Sequence, residues 1–205
     1  GEGGINLVAS SVISDVRGVA AGADCGDQGG GIANLGTLTV TNSTISHNTA
    51  TNAAGGIVNI TGTVAVTDGT IANNTGASGG ISVNSGGTLT LRNSIVALNT
   101  ATTSIGPDIW GTATSQGYNI IGNTANTTIT GTTTGNQLNV NPLLGPLQNN
   151  GGPTQTRALL LGSPAIDKGS AVAGLTTDQR GQPRPFNDPN ISPASGGDNS
   201  DIGAY

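Results

Sequence analysis

Short alternating runs of Ile, Val and Leu recur along the chain between clusters of Gly, Asn and Thr, and they recur at a fixed interval. Residues 29–54 read GGGIANLGTLTVTNSTISHNTATNAA, residues 55–78 read GGIVNITGTVAVTDGTIANNTGAS, and residues 79–105 read GGISVNSGGTLTLRNSIVALNTATTSI, with a weaker copy over 106–131. The unit is about 25 residues long, a length at which self-similarity marks a repeat architecture. Aligning the units gives columns of one residue type: Gly31, Gly56 and Gly80; Ile32, Ile57 and Ile81; Asn34, Asn59 and Asn84. Leu38, Val64 and Leu89 form a further column, and Val40, Val66 and Leu91 form another two residues on. A spacing of two is that of a strand, with these side chains on one face and Thr39, Ala65 and Thr90 on the other. A turn column follows at Asn42, Asp68 and Asn93, then an apolar column at Ile45, Ile71 and Ile95, and Asn48, Asn74, Asn99 and Asn123 close the pattern.

A unit of two or three narrow strands cannot bury its own apolar face, so it must stack on the next unit, which makes the strands parallel. At about 3.3 Å per residue the unit traces a coil roughly 80 Å around, and each coil rises by about 4.8 Å. The predicted fold is all-β, a right-handed parallel β-helix; the hand follows from the right-handedness of about 98% of parallel crossovers. Asn and Gly suit the left-handed backbone of sharp corners, and stacked Asn side chains can bond their copies above and below, so the Asn columns read as structural ladders. Leucine-rich repeats have units of this size, but this unit has too few Leu and too much Gly and Thr. The coils are expected over 1–140. Residues 141–205, richer in Pro and Gly, are expected to form an irregular C-terminal cap lying over the last coil, where apolar side chains and strand edges would otherwise face water.

Composition changes this picture little and narrows the function. Only 34% of residues are hydrophobic and 8% charged, which would suggest disorder if the apolar residues were scattered instead of periodic. A net charge of −5 leaves no basic stripe for a phosphate backbone, which argues against nucleic acid as a partner, and no apolar run is long enough to span a bilayer. Cys25 is the single cysteine, so an internal disulfide is excluded.

The GGGI and GGI starts, paired with Ile45-Ser46-His47-Asn48, Ile71-Ala72-Asn73-Asn74, Val96-Ala97-Leu98-Asn99 and Ile120-Ile121-Gly122-Asn123, resemble the GGA-I and F-x-x-N repeats of chlamydial polymorphic outer membrane proteins, with an aliphatic residue in place of each Phe. The closing stretch resembles bacterial surface proteins of the choice-of-anchor Q type in NPLLGPLQNNGGPTQTRALLLGSPAIDKGS, TTDQRGQPRP and the final DIGAY. The resemblance implies a secreted β-helix displayed on the cell surface by an anchoring signal beyond the closing motif, and it implies no reaction. With no complete repeat start before Gly3, the chain reads as part of a longer protein.

Pectate-lyase-like enzymes share the β-helix, and they need several carboxylates for Ca²⁺ and a basic residue on one face. Between Gly29 and Thr100 the charged residues are Asp68 and Arg92, and Asp68 fills a corner column held elsewhere by Asn. His47, the single histidine, follows Ser46, but neighbours on a strand point to opposite faces, so a surface turn is expected instead of a nucleophile and base. Asp15, Asp24 and Asp27 around the Gly-rich stretch AGADCGDQGGG are the calcium candidates, without the tandem motif of calcium-binding β-rolls. Trp110 reads as packing at a coil edge, with sugar stacking as the alternative. Asp178, Arg180, Arg184 and Asp201 read as ion pairs that fix the cap. Thr37, Thr39, Thr41, Thr63, Thr67, Thr88 and Thr90 line the outward strand face; ice binding would need such an array, but Ala65 and Arg92 interrupt it and Thr is an ordinary strand residue. The expectation is a non-enzymatic extracellular or cell-surface structural protein, acting as spacer, adhesin-like passenger or filament subunit. Its partner would be an extracellular surface or a second copy joined head to tail. Carbohydrate binding or polysaccharide-lyase-like cleavage is the alternative.

Overall fold

The computed structural model describes residues 30–205 with their side chains and, by backbone alone, three earlier strands: β1 (Ile5–Leu7), β2 (Val12–Ser14) and β3 (Arg17–Gly18). The calcium candidates Asp15, Asp24 and Asp27, and Cys25, lie outside the described residues. One full level then holds β4 (Ile32–Asn34), β5 (Thr37–Thr41), β6 (Thr44–Ser46) and β7 (Thr49–Ala50). The next holds β8 (Ile57–Asn59), β9 (Gly62–Thr67), β10 (Thr70–Ala72) and β11 (Thr75–Gly76). The third holds β12 (Ile81–Val83), β13 (Gly87–Arg92), β14 (Ile95–Ala97) and β15 (Thr100–Ala101). Shortened levels follow with β16 (Ile109–Gln116), β17 (Ile120–Ile121), β18 (Thr127–Thr132) and β19 (Gln137–Leu138), before an antiparallel hairpin of β20 (Leu144–Gln148) and β21 (Thr156–Leu159).

The chain is an all-β parallel solenoid of about four turns, and the described residues include no helix. Its long sheet runs β1-β5-β9-β13-β16, with β18 beyond, and its opening sheet runs β4-β8-β12 and joins the same β16. The two arms meet because β16 is one eight-residue strand where earlier coils make a corner. A middle sheet of β2-β6-β10-β14-β17-β19 and a narrow sheet of β3-β7-β11-β15 close each coil. Leu38, Val64 and Leu89, then Val40, Val66 and Leu91, face the interior with Ile57, Ile81 and Ile109, all 1% exposed or less. Asn42, Asp68, Asn93 and Tyr118 turn the corner from the long to the middle sheet with φ of 46–56°. His47, Asn73 and Leu98 turn the next corner with φ of 58–62°. Asn and Asp bear this left-handed conformation better than most residues, which is why they recur there.

One expected apolar column is corrected by the register. Ile71 pairs with Val96, and Thr70 with Ile95, so the inward column is Ile45, Ile71, Val96 and Ile121, and Ile95 points outward. A slip of one residue moves a side chain to the opposite face of a sheet. Ile95 tolerates that placement because its outward face is covered.

The cover is the C-terminal segment, and it does not lie over the end of the last coil. It runs along the flank, across the outward face of the middle sheet. Ala165 and Ile202 pack on Ile95, Ala97 and Ile120. Ala204 N donates to Thr70 Oγ1 at 3.1 Å, Thr44 Oγ1 to Gln179 Oε1 at 2.6 Å, and Arg157 Nε to Ser46 Oγ at 2.9 Å. All three residues of β6, β10 and β14 are buried as a result, where a bare face would leave alternate ones exposed. The flank needed the cover because its outward column changes from Thr44 and Thr70 to Ile95 and Ile120.

Candidate functional site

The Asn ladder begins as the columns suggest. Asn74 Oδ1 accepts from Asn48 N and Nδ2, both at 3.0 Å, and Asn99 Oδ1 accepts from Asn74 N and Nδ2, both at 3.0 Å. The Gly31, Gly56 and Gly80 column leaves room for the backbone of the next coil and for this ladder. A Cβ on Gly31, Gly56 or Gly80 would lie 2.7, 2.5 or 2.4 Å from the carbonyl of Gly56, Gly80 or Asp108, and 3.0, 3.3 or 2.8 Å from Nδ2 of Asn48, Asn74 or Asn99. The fourth rung is not Asn123. Ile120 pairs with Ile95 and Ile121 with Val96, and that register carries Asn123 opposite Leu98; its side chain is exposed and accepts from Ala125 N at 2.9 Å. Asp108, which stands opposite Gly80, fills the gap, accepting from Asn99 Nδ2 at 2.9 Å and Asn99 N at 3.1 Å. Burial is the main influence on this carboxyl and raises its pKa to about 6, against the opposing hydrogen bonds from Asn99 and the backbone of Asn123.

The other columns are partial ladders. Asn34 Nδ2 donates to Asn59 Oδ1 at 2.8 Å, but Asn59 Nδ2 turns to Thr88 O at 2.9 Å, and Asn84 Oδ1 accepts from Ser82 Oγ at 3.2 Å. Asn42 Nδ2 reaches Thr177 O at 3.0 Å, and Asn93 Nδ2 donates to Asp68 Oδ1 at 2.6 Å. A pair absent from the sequence columns, Asn119 and Asn136, extends the same corner: Ser94 N donates to Asn119 Oδ1, and Asn119 N to Asn136 Oδ1, each at 3.0 Å.

Asp68 is also where the flank cover is clipped on. Arg184 Nη1 pairs with its Oδ1, both side chains are buried, and Arg184 Nη2 donates to Gly203 O at 2.7 Å and Tyr205 O at 3.1 Å. Burial raises the Asp68 pKa, against the charge of Arg184. Around this clip the C-terminal segment encloses a cavity of about 560 Å³ bordered by Asp178, Arg180, Phe186, Asp201 and Tyr205. Arg180 bonds Asp178 at 2.6 Å and stacks on the Tyr205 ring, and Phe186 is 71% exposed. Burial raises Asp201 to about 6, against the hydrogen bond from the Asp167 backbone, with the charge of the Asp167 carboxylate adding a smaller upward push. Of the four tail residues singled out by sequence, Asp178 and Arg180 pair with each other, Arg184 pairs with the body, and Asp201 accepts Asp167 N at 2.8 Å. His47 is exposed at its corner, and its Nε2 lies 3.0 Å from Arg157 Nη2. Burial lowers the Arg157 pKa.

The long sheet presents a different surface. Its register aligns Thr37, Thr63 and Thr88, and Thr39, Ala65 and Thr90. Thr90 faces Thr114, and Thr112 and Thr114 face Thr128 and Thr130, so both columns continue through β16 and β18. Among the residues described with their side chains the result is a Thr-x-Thr grid over five levels, β5 to β18, with Ala65 as its single exception; beyond it the backbone register sets Asn6 of β1 opposite Thr39. Thr88 Oγ1 donates to Thr63 Oγ1 at 3.3 Å, and Thr114 and Thr130 hydroxyls also lie 3.3 Å apart. Arg92 and Gln116 fall in a third column at its margin, with Thr41, Thr67 and Thr132. Trp110, on the opening sheet beside Ser82, is 36% exposed. No group of three His, Cys, Asp or Glu side chains among the described residues is arranged to hold a metal. Comparison with protein-family models, with curated proteins and with solved structures gives no match.

Proposed function

We propose that this chain is a non-enzymatic module of an extracellular or cell-surface bacterial protein, a rod that works by presenting a surface. The observation that carries the reading is how the buried ionisable groups are engaged. Asp108 completes an Asn ladder, Asp68 and Arg184 clip the C-terminal segment to the body, and Arg157 holds Ser46 Oγ and Gly145 O. Catalytic carboxylates and bases need a free lone pair or proton facing substrate, whereas these groups bond their own chain, and Asp68 Oδ2, which has no hydrogen-bond partner, is buried away from solvent. The resemblance to choice-of-anchor Q proteins with polymorphic-membrane-protein repeats supports surface display. Its quoted pieces have structural work here, the Gly starts making room for the Asn ladder and the final Ile202–Tyr205 lying on the middle sheet and its clip.

Carbohydrate binding is the second reading, favoured by the cavity in which the exposed Phe186 ring stands near Arg180 and Asp201. Incubating the full chain with acidic polysaccharides and Ca²⁺, and following absorbance for unsaturated products, tests the first reading. No product is expected. Product formation that depends on the chain would overturn it, and retention of a polysaccharide without cleavage would favour the second.

A further inference from the structure

We propose that the outward Thr grid of the long sheet is an ice-binding surface. The proposal rests on the reading of the solenoid as a surface-presenting rod and names the partner of one face. Strand propensity explains a β-branched residue at an outward position but not the same one at nine of the ten grid positions from β5 to β18, since Val, Ile and Tyr serve a strand equally well. On the opening sheet of the same coils the alternate column, Ala33, Val58, Ser82 and Trp110, holds four residue types, two of them, Val58 and Ser82, buried, so the repetition of Thr belongs to the exposed long sheet.

Parallel stacking fixes the grid in two directions, with about 4.8 Å between levels and roughly 6.7 Å between alternate residues of a strand. A repeat in two directions is what registry with a crystal plane such as that of ice requires. Each Thr carries one hydroxyl and one methyl on a χ1 that β-branching makes stiff, and the hydroxyl contacts along the columns restrain it further. A rigid grid of this kind holds a water layer in lattice positions with little ordering left to do when it meets the crystal. The face is also nearly free of charge. Arg92, at the margin, is its one charged residue, although the chain carries a net charge of −5, and the C-terminal segment covers the middle sheet and leaves this one bare. The narrow sheet carries a single column, Thr49, Thr75 and Thr100, which has no second direction to match a lattice.

The test is thermal hysteresis and ice shaping of the full chain in a nanolitre osmometer, with partition into a growing ice hemisphere. The native chain is expected to shape ice and enter it. Thr90→Tyr, at the centre of the grid, is expected to lose both activities with an unchanged circular dichroism spectrum, and Thr75→Tyr on the narrow sheet to keep them. If Thr90→Tyr misfolds, Thr39→Lys near the edge of the grid reads the same loss. A native chain excluded from ice, or equal loss from Thr75→Tyr and Thr90→Tyr, overturns the proposal, as does retention on crystalline chitin or cellulose with no effect on ice. None of these results bears on whether the chain cleaves polysaccharides, so the underlying reading stands or falls on its own assay.

Discussion

The long and middle sheets are built from the same coils, one corner apart, and they meet water in opposite ways. Inward, both are alike, with Val64 and Val66 on one and Ile71 on the other fully buried. Outward, the long sheet repeats Thr and stays bare, while the middle sheet passes from Thr44 and Thr70 to Ile95 and Ile120 and is roofed by the C-terminal segment. The interior of a solenoid therefore says little about its surroundings. Whether a face meets solvent, another segment or a partner is decided by the outward alternates, which the stacking leaves free to vary.

Removing the roof should break this contrast most severely. A chain ending at Asn139 would expose Ile95, Ala97 and Ile120 and leave Asp68 without Arg184, and it is expected to aggregate; a monomeric, soluble product by size exclusion would show that the flank needs no cover. Next comes Arg184→Ala, which strands a buried carboxylate and should cost about 3–5 kcal/mol by chemical denaturation. The pH dependence is smaller. Asp108 and Asp201 stand at about 6 in the folded chain against an ordinary 3.8, so the folded state binds more protons than the unfolded one between these values. Their contribution is therefore most favourable below the window and declines as pH rises through it, by about 3 kcal/mol for Asp108. Asp108→Asn should flatten the melting profile between pH 4 and pH 6, and an unchanged profile would place that carboxyl in water. The smallest change is His47→Ala. Arg157 keeps its bonds to Ser46 and Gly145, and the cost should stay below about 1 kcal/mol, so a larger loss would mean that the imidazole helps to hold the roof.

The parallel solenoid was legible because its columns repeat at one interval and its strands at a period of two. Register was less legible where two apolar residues stand side by side. Ile95-Val96 and Ile120-Ile121 fit either frame, and pairing with Thr70-Ile71 decides between them. A C-terminal cover over 141–205 was legible, but its place along the flank was not, since Asp68 and Arg184 are 116 residues apart and neither has a local sequence signal for the other. Asp68 looked like one more corner Asn. The Thr grid was visible over three levels and hidden over two, because β16 runs through a corner and β18 follows after a shortened coil, outside the interval that aligned the rest.

The fit between the glycine column and the Asn ladder has a consequence for how such a chain is copied. Gly31 accommodates Asn48, Gly56 accommodates Asn74, and Gly80 accommodates Asn99, so both members of each pair lie within one repeat. A duplicated or deleted repeat carries that Gly and Asn together. The rungs themselves cross from repeat to repeat, Asn48 to Asn74, Asn74 to Asn99 and Asn99 to Asp108, and the atom nearest each Gly is a carbonyl of the next coil. Exchange among these coils keeps Asn against Asn and Gly against Gly, whereas Asn99 is matched to a carboxylate, so a copy inserted between Asn99 and Asp108 puts an amide where that rung has an acid.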